Sequence, residues 1–165
     1  MIECSLGQQA VLICVDSYEG GVPRGRLYLP GQPGQRFDSL SQLLLRGEQL
    51  LELSGGAQSF TTARIFALAK PLRPAPCDAG EPVHGNAATF EMRILFRQHA
   101  SWQGELLWLE KNARQSFRSV LELITLMDSA LRAEENEKFK NAGASAPAFF
   151  YSVPAGLSGD RGRIW

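Results

Sequence analysis

The chain has 165 residues, 44% of them hydrophobic, which suffices for one domain with a substantial core. Its 17 Lys and Arg residues balance its 17 Asp and Glu residues, so it lacks the excess positive charge typical of duplex-binding proteins. Net charge therefore does not favour nucleic acid as a partner.

Three cysteines and two histidines are too few and too scattered to indicate a metal site. Cys4, Cys14 and Cys77 form no Cys-x-x-Cys pair, whereas structural zinc usually needs two closely spaced ligand pairs. We expect no metal, no cofactor, and thiols kept reduced. The chain starts without a basic region and a long apolar run, and no stretch approaches twenty apolar residues, so a cytoplasmic location without membrane contact is expected.

The first half predicts a hairpin followed by a helix. Residues 10–15 form a short β-branched run typical of a buried strand, and residues 26–29 resume as a second strand. Between them, residues 18–25 are rich in the glycine and proline of turns. Apolar residues at a period of 3.6 then indicate a helix over residues 37–51.

The second half repeats this order. Apolar and mostly charged residues alternate over 90–97, which predicts a half-buried strand, and 102–110 reads as the returning strand. After a polar stretch, the apolar period over residues 117–131 indicates a second amphipathic helix.

The connecting segments carry weaker signals. Residues 59–69 suit a short strand and a short helix equally, and residues 70–88, with four prolines, are typical of a linker or long surface loop. Residues 1–139 are expected to form one domain, and residues 140–165 a poorly ordered tail.

Matched residues indicate that the two halves are copies of one unit. Phe37-Asp38-Ser39-Leu40 recurs as Phe117-Arg118-Ser119-Val120, and each serine precedes a Gln or Glu at capping-box spacing. Gly25 recurs as Gly104 before each second strand.

This correspondence predicts an α+β fold of tandem ββα repeats, over about 10–54 and about 89–133, joined by residues 55–88. A lone two-stranded hairpin is marginally stable in water. Joined edge to edge, the repeats would give an antiparallel sheet of four or slightly more strands, with both helices on one face of a two-layer sandwich.

The second hairpin turn is the chemically densest stretch, with Arg97, His99, Trp102 and Gln103. An indole beside such groups can stack on a base or ring and hydrogen-bond its edge; alternatively, Trp102 closes the core beneath a solvated turn. The first turn carries Tyr18 and Arg24, and symmetric pairing of the repeats would place both turns on one groove. With Arg93 on the exposed strand face, the candidate ligand- or partner-binding residues are Tyr18, Arg24, Arg93, Arg97, His99, Trp102 and Gln103.

No catalytic residue is predicted. The chain lacks a Gly-x-Ser-x-Gly elbow, His84 lies in the proline-rich linker, and His99 has no carboxylate near it in sequence. Glu48 and Asp128 occupy equivalent repeat positions, where helix carboxylates usually face solvent.

Two stretches carry a resemblance: F-R-Q-H-A-S-W-Q-G (residues 96–104) and F-R-S-V-L-E-L (residues 117–123). In these pieces, and in V-P-R-G-R-L-Y of the first half, the chain resembles a family of small bacterial proteins with this hairpin and helix in their C-terminal half. The resemblance covers most of residues 10–133 and implies no activity, ligand or catalytic residue. The strand–strand–helix order is also similar to small antitoxins and double-stranded-RNA-binding folds, at the level of fold alone.

The sequence therefore favours a non-enzymatic protein-binding or regulatory module, able to form a homodimer through the open sheet face. One alternative is a nucleic-acid or nucleotide binder that uses the Trp102 hairpin. Another is a small enzyme with its site between the repeats.

Overall fold

A computed structural model describes residues 10–53, 66, 77–78, 84–97 and 101–141. They form an α+β fold, one open antiparallel sheet with two helices. The strands are β1 (Ala10–Glu19), β2 (Val22–Tyr28), β3 (Gly34–Phe37), β4 (Cys77–Asp78), β5 (Ala88–Phe96), β6 (Gln103–Trp108) and β7 (Ala113–Phe117), and the helices are α1 (Leu40–Leu53) and α2 (Val120–Asn141). The strand order across the sheet is β4-β3-β2-β1-β5-β6-β7.

The sheet is larger than four strands because each half contributes a third strand before its helix. Strands β3 and β7 lie in stretches that sequence reasoning took for polar gaps, and the two-residue β4 lies in the predicted linker. In β7 the first four side chains are exposed, so no apolar alternation marks the strand. The order within each half is therefore βββα rather than ββα.

The first predicted turn, residues 18–25, is mostly strand. Only Gly20 and Gly21 lie between β1 and β2, and both have positive φ, 58° and 78°, which glycine adopts at little cost. Each hairpin has a bulge near its turn: Asp16 is the extra residue in β1, and Leu95 is the extra residue in β5.

A glycine at the same place in each hairpin lets the strands approach closely. A Cβ on Gly25 would lie 2.0 Å from the carbonyl oxygen of Cys14, and a Cβ on Gly104 would lie 1.9 Å from that of Arg93. Both distances are far below van der Waals contact, so only glycine fits at these positions.

The register of the sheet arranges matching positions of the two halves about one pair of residues. Val15 pairs with Gly25 in the first hairpin, and Ile94 pairs with Gly104 in the second. Val15 and Ile94 are therefore matching positions, 79 residues apart. At the same spacing Leu12 corresponds to Glu91, and these two residues pair with each other across β1 and β5. The Leu12–Glu91 pair therefore lies at the centre of these matching positions.

One face of the sheet and both helices enclose a single core. Its sheet residues include Val11, Ile13, Val15, Leu27, Phe90, Met92, Ile94 and Leu106, and its helix residues include Leu43, Leu50, Leu51, Leu123, Met127 and Leu131. Phe37 and Phe117 are also buried there, but each ends a strand rather than starting a helix as predicted. Among the described residues, the opposite face of the sheet has no helix packed on it.

Both predicted serine caps form, and in each the side chain three residues later reaches back to the N–H of the residue before the serine. The Ser39 Oγ accepts the N–H of Gln42 at 3.2 Å, and the side-chain oxygen of Gln42 accepts the N–H of Asp38 at 3.0 Å. The second helix has the same two bonds, at 3.2 and 2.6 Å, made by Ser119, Glu122 and Arg118.

Several predictions meet the limits of the described residues. Apart from Phe66, the segment 59–69 lies outside them, as do residues 142–165. Helix α2 continues to Asn141, ten residues beyond the predicted end, so the predicted boundary at residue 140 falls inside it. Within the described ranges, neither helix has the length and hydropathy needed to cross a membrane.

Candidate partner-binding site

Trp102 and Arg97 lie against helix α1. They are only 5% and 4% exposed, and the Trp102 Nε1–H donates to Glu48 Oε2 at 2.6 Å while Arg97 donates to the other oxygen of Glu48. A Cβ on Gly47 would lie 2.8 Å from the indole ring, so glycine there permits the contact. In this position the indole closes the core, and stacking on a ligand would require it to leave α1.

The first hairpin makes the equivalent contact with the other helix. The Tyr18 hydroxyl donates to Asp128 Oδ1 on α2, and Asp128 Oδ2 lies 2.9 Å from Arg132 Nε. Burial raises the pKa of Tyr18, and the bond to Asp128 raises it further, so the hydroxyl remains a donor at neutral pH. Each hairpin thus holds the helix of the other half.

Glu48 and Asp128 are the residues that sequence reasoning placed on solvated helix surfaces. The structure gives each of them a hydrogen-bond donor from the opposite hairpin. Their spacing of 80 residues, the same as that of the capping serines, was the available signal. They contact hairpins at different ends of the sheet and do not form a carboxylate pair.

The two turns do not line one groove, so that hypothesis is wrong. Strands β1 and β5 are antiparallel neighbours. Strand β1 runs beyond their pairing to Glu19 at one end of the sheet, and β5 runs beyond it to Phe96 at the other end. The turns that follow therefore lie at opposite ends, because antiparallel strands point in opposite directions.

The other predicted site residues are dispersed. Arg93 lies on the open face of the sheet, 2.7 Å from Glu91. Gln103 is half-buried at the start of β6. His99 lies outside the described residues. Arg24 borders a cavity on the open face, and Tyr18 borders another cavity beside α2.

Arg24, Arg26 and Arg36 line the cavity on the open face, of about 400 Å³, which we call the arginine cleft. Arg24 and Arg26 alternate along β2, and Arg26 pairs with Arg36 across β3, so their side chains share the open face. Sequence reasoning missed Arg26 and Arg36, although the alternation of arginines in V-P-R-G-R was visible. The remaining lining residues are Asp16, Gly25, Phe37, Asp38 and Asn86.

Arg26 and Arg24 differ in how closely neighbouring carboxylates fix their side chains. Arg26 is bidentate to the bulge residue Asp16, at 2.8 and 3.0 Å, and the Asp16 carboxylate raises the pKa of Arg26. Arg24 is 3.5 Å from Glu19 and its side chain is 51% exposed, so it can reorient toward a ligand.

Three guanidinium groups and the carboxylates of Asp16 and Asp38 line the cleft, and Glu19 lies at its border beside Arg24. Asp38 lies just before α1, whose first turn contains no acidic residue. Because Asp38 lies beside the N-terminus of α1, its carboxylate offsets the positive end of the helix macrodipole there. The guanidinium groups of the cleft have the geometry to bind carboxylate or phosphate groups.

Cys14 lies on the open face of β1 but is fully buried. Burial raises the pKa of its thiol to about 11, against a smaller lowering by Arg26. The thiol is therefore neutral at physiological pH and a poor nucleophile. Within the described ranges, no three potential metal ligands cluster.

Comparison of the chain with models of protein families, with curated proteins and with solved structures found no match.

Proposed function

We propose that the chain is a non-enzymatic protein-binding module whose arginine cleft takes an acidic segment of a partner protein. The observation that carries the proposal is the convergence of Arg24, Arg26 and Arg36 on one cavity of about 400 Å³ at the open face. Arginine is suited to this role because its planar fork binds carboxylates bidentately and remains charged at every physiological pH.

The charge distribution on the rest of the open face favours a protein over a nucleic acid. Beyond the cleft, Arg93 is paired with Glu91 and Arg114 with Glu105, at 2.7 and 2.8 Å. A nucleic-acid strand that followed the face away from the cleft would meet these carboxylates. A short acidic segment would contact only the cleft. Such a local attraction needs no excess of positive charge over the whole chain, whose net charge is zero.

We also propose that the module consists of two copies of one βββα unit. Four matched features support this: the hairpin bulges, the close-approach glycines, the serine caps, and the helix carboxylates that receive the opposite hairpin. The arginine cleft belongs to the first copy alone, because the residues equivalent to Arg26 and Arg36 are Glu105 and Ser116.

Binding to defined probes tests the main proposal. A synthetic glutamate-rich peptide and a single-stranded RNA oligonucleotide are titrated against the chain while tryptophan fluorescence or NMR shifts are followed. We expect saturable peptide binding that weakens with added salt. Reversal of one charge, Arg24→Glu, should weaken it by about tenfold or more, a loss of about 1.4 kcal/mol.

The matched control is Arg118→Glu, since Arg118 is 87% exposed in its side chain and lies outside the cleft. Equal affinity in both variants would refute the cleft. Tighter binding of the RNA than of the peptide would instead favour the nucleic-acid function. A dimer in sedimentation that Arg24→Glu dissociates would identify a second copy as the occupant.

A further inference from the structure

The second helix extends beyond the part that matches the first. Helix α2 has 22 residues and α1 has 14. At the spacing of 80 residues that relates the capping serines, the last residue of α1, Leu53, corresponds to Ala133. Residues 134–141 of α2 therefore have no counterpart in α1.

This extension forms one side of a cavity of about 400 Å³, which we call the α2 cavity. The helix residues Leu131, Glu135, Lys138 and Phe139 line it, at the spacing of one helical face. The rest of the lining is Asp16, Ser17, Tyr18 and Glu19 of β1, together with Ala87 and Glu134. The α2 cavity therefore lies between the first hairpin and the extension of the helix.

The walls of the α2 cavity are mostly apolar. Tyr18, Ala87, Leu131 and Phe139 supply the apolar surface. Phe139 is 48% exposed, so burying it under a further apolar group would be favourable. An apolar cavity of about 150 Å³ holds benzene, so this larger one has room for about two aromatic rings.

The charged groups around the α2 cavity do not favour a charged occupant. Asp16, Glu19 and Glu134 are each within 3.5 Å of an arginine or a lysine. Lys138 donates to a backbone carbonyl oxygen at 2.9 Å. A charged ligand would compete with these contacts, whereas an uncharged aromatic one would leave them in place.

The chain that follows α2 has this chemistry. Residues 142–159 include no charged side chain, and within them stand Phe149, Phe150 and Tyr151 in succession, which we call the aromatic run. The aromatic run combines the ring size that fits the cavity with a tyrosine hydroxyl that can donate to the carboxylate of Glu135.

The aromatic run can reach the α2 cavity. Eight residue steps separate Asn141 from Phe149 and span up to about 27 Å when extended. Phe139 and Glu135 precede Asn141 by two and six positions, which is only about 3 and 9 Å along the helix. A flexible linker of this length gives an effective concentration on the order of millimolar, which favours the same chain over a separate partner.

Another segment adjoins the cavity but fits it less well. Residues 79–83 precede the segment that contains Ala87, and their only large apolar residue is Val83. They also include the carboxylate of Glu81, which would meet the carboxylates at the rim.

We infer that the aromatic run of the same chain occupies the α2 cavity. Two of its rings would pack against Leu131 and Phe139 and close the core beside the first hairpin. The sequence predicted a poorly ordered tail here, because a short aromatic run has no periodicity to indicate what it contacts. This inference does not depend on the arginine cleft or on the function proposed for it.

The test uses NMR of the full chain, isotopically labelled. We expect nuclear Overhauser effects between the ring protons of the aromatic run and the methyl groups of Ala87 and Leu131. Their intensity, corrected for protein concentration, should not change on dilution, because the contact is within one chain. The double substitution Phe149→Ser with Phe150→Ser should shift the amides that line the α2 cavity and leave those of β7 unchanged.

A matched pair of variants locates the contact. Glu135→Trp fills the cavity from α2 and should abolish the Overhauser effects to Ala87. Asn136→Trp places the same side chain on an exposed position of the same helix, outside the cavity, and should preserve them. Circular dichroism confirms that each variant is folded.

A synthetic peptide of residues 144–153 provides a second measurement. It should bind the double-serine variant saturably, with shifts at the α2 cavity, and bind the parent chain about tenfold or more weakly, because the parent's own run competes with it.

Equal affinity of the peptide for the parent chain and the double-serine variant would overturn the inference, because it would show an open cavity in the parent. Overhauser effects that persist in Glu135→Trp would also overturn it. Effects that disappear on dilution would overturn it too, since they would identify the aromatic run of a second copy as the occupant.

Discussion

Two glycines set how closely the strands of each hairpin approach. Gly25 and Gly104 lie against the carbonyl oxygens of Cys14 and Arg93, at distances that leave no room for a methyl group. The obstacle is backbone in both hairpins, so no side chain can rotate away to make space.

We predict that Gly25→Ala and Gly104→Ala each lower the free energy of unfolding by about 3 kcal/mol, the upper range for overpacking. Urea denaturation measures both losses, which should agree within about 1 kcal/mol because the geometry is shared. Ser116→Ala, on an exposed strand position, should change stability by no more than about 0.5 kcal/mol. A loss below about 1 kcal/mol at either glycine would contradict the close approach.

The glycine match and the alternative that Trp102 closes the core were visible in the sequence, but the hydrogen-bond partners of the aromatic residues were not. Trp102 and Tyr18 each hydrogen-bond a carboxylate more than fifty residues away, on the helix of the other half. Local patterns cannot supply such a pairing, because it depends on how the halves meet. Trp102 and Tyr18, which were predicted as binding residues, instead join the two halves of the chain.

The helices show how much of an element local sequence can predict. Both serine caps form as expected, since a cap involves residues only three or four positions apart. Strands β3 and β7 were missed because their side chains are largely polar or exposed, and only their partners in the sheet define them.

The two caps should respond differently to acid. The Arg118 N–H lowers the pKa of Glu122 below its ordinary value of 4.5, so the charged form is favoured in the fold. The charged Glu122 therefore stabilises the fold fully above pH 4.5, and this stabilisation is lost as the pH falls through the lowered pKa. The first helix uses the neutral Gln42 in the same place and has no such dependence.

NMR titration checks this prediction. The Arg118 amide should shift with a midpoint below pH 4.5, and Glu122→Gln should remove that shift while preserving the cap. A midpoint at or above 4.5, or a titration unaffected by Glu122→Gln, would contradict the cap assignment.

At the scale of the whole molecule, the halves depend on each other. The strands β1 and β5 form the centre of one sheet, and each hairpin hydrogen-bonds the helix of the other half. Separated halves would each expose a long central strand and lose a helix contact. The sequence predicted that the two halves share one sheet. The number of strands and the opposite directions of the two turns follow only from the strand order and register, which the sequence does not reveal.

We therefore predict that residues 1–80 and residues 81–165, expressed as separate fragments, are each largely unfolded and fold when mixed. Circular dichroism of each fragment and of the mixture measures this, with the intact chain as the reference. A fragment that is monomeric and unfolds cooperatively by itself would show that the halves are independent.

The pairing of Leu12 with Glu91 makes the centre of the sheet chemically asymmetric. In an assembly of two identical units, whichever side chain occupies the symmetry axis must face itself. A glutamate there would oppose another glutamate, with like charges in direct contact. A single continuous chain removes that restriction, so covalent linkage is what allows an acidic and an aliphatic residue to share the centre of this sheet.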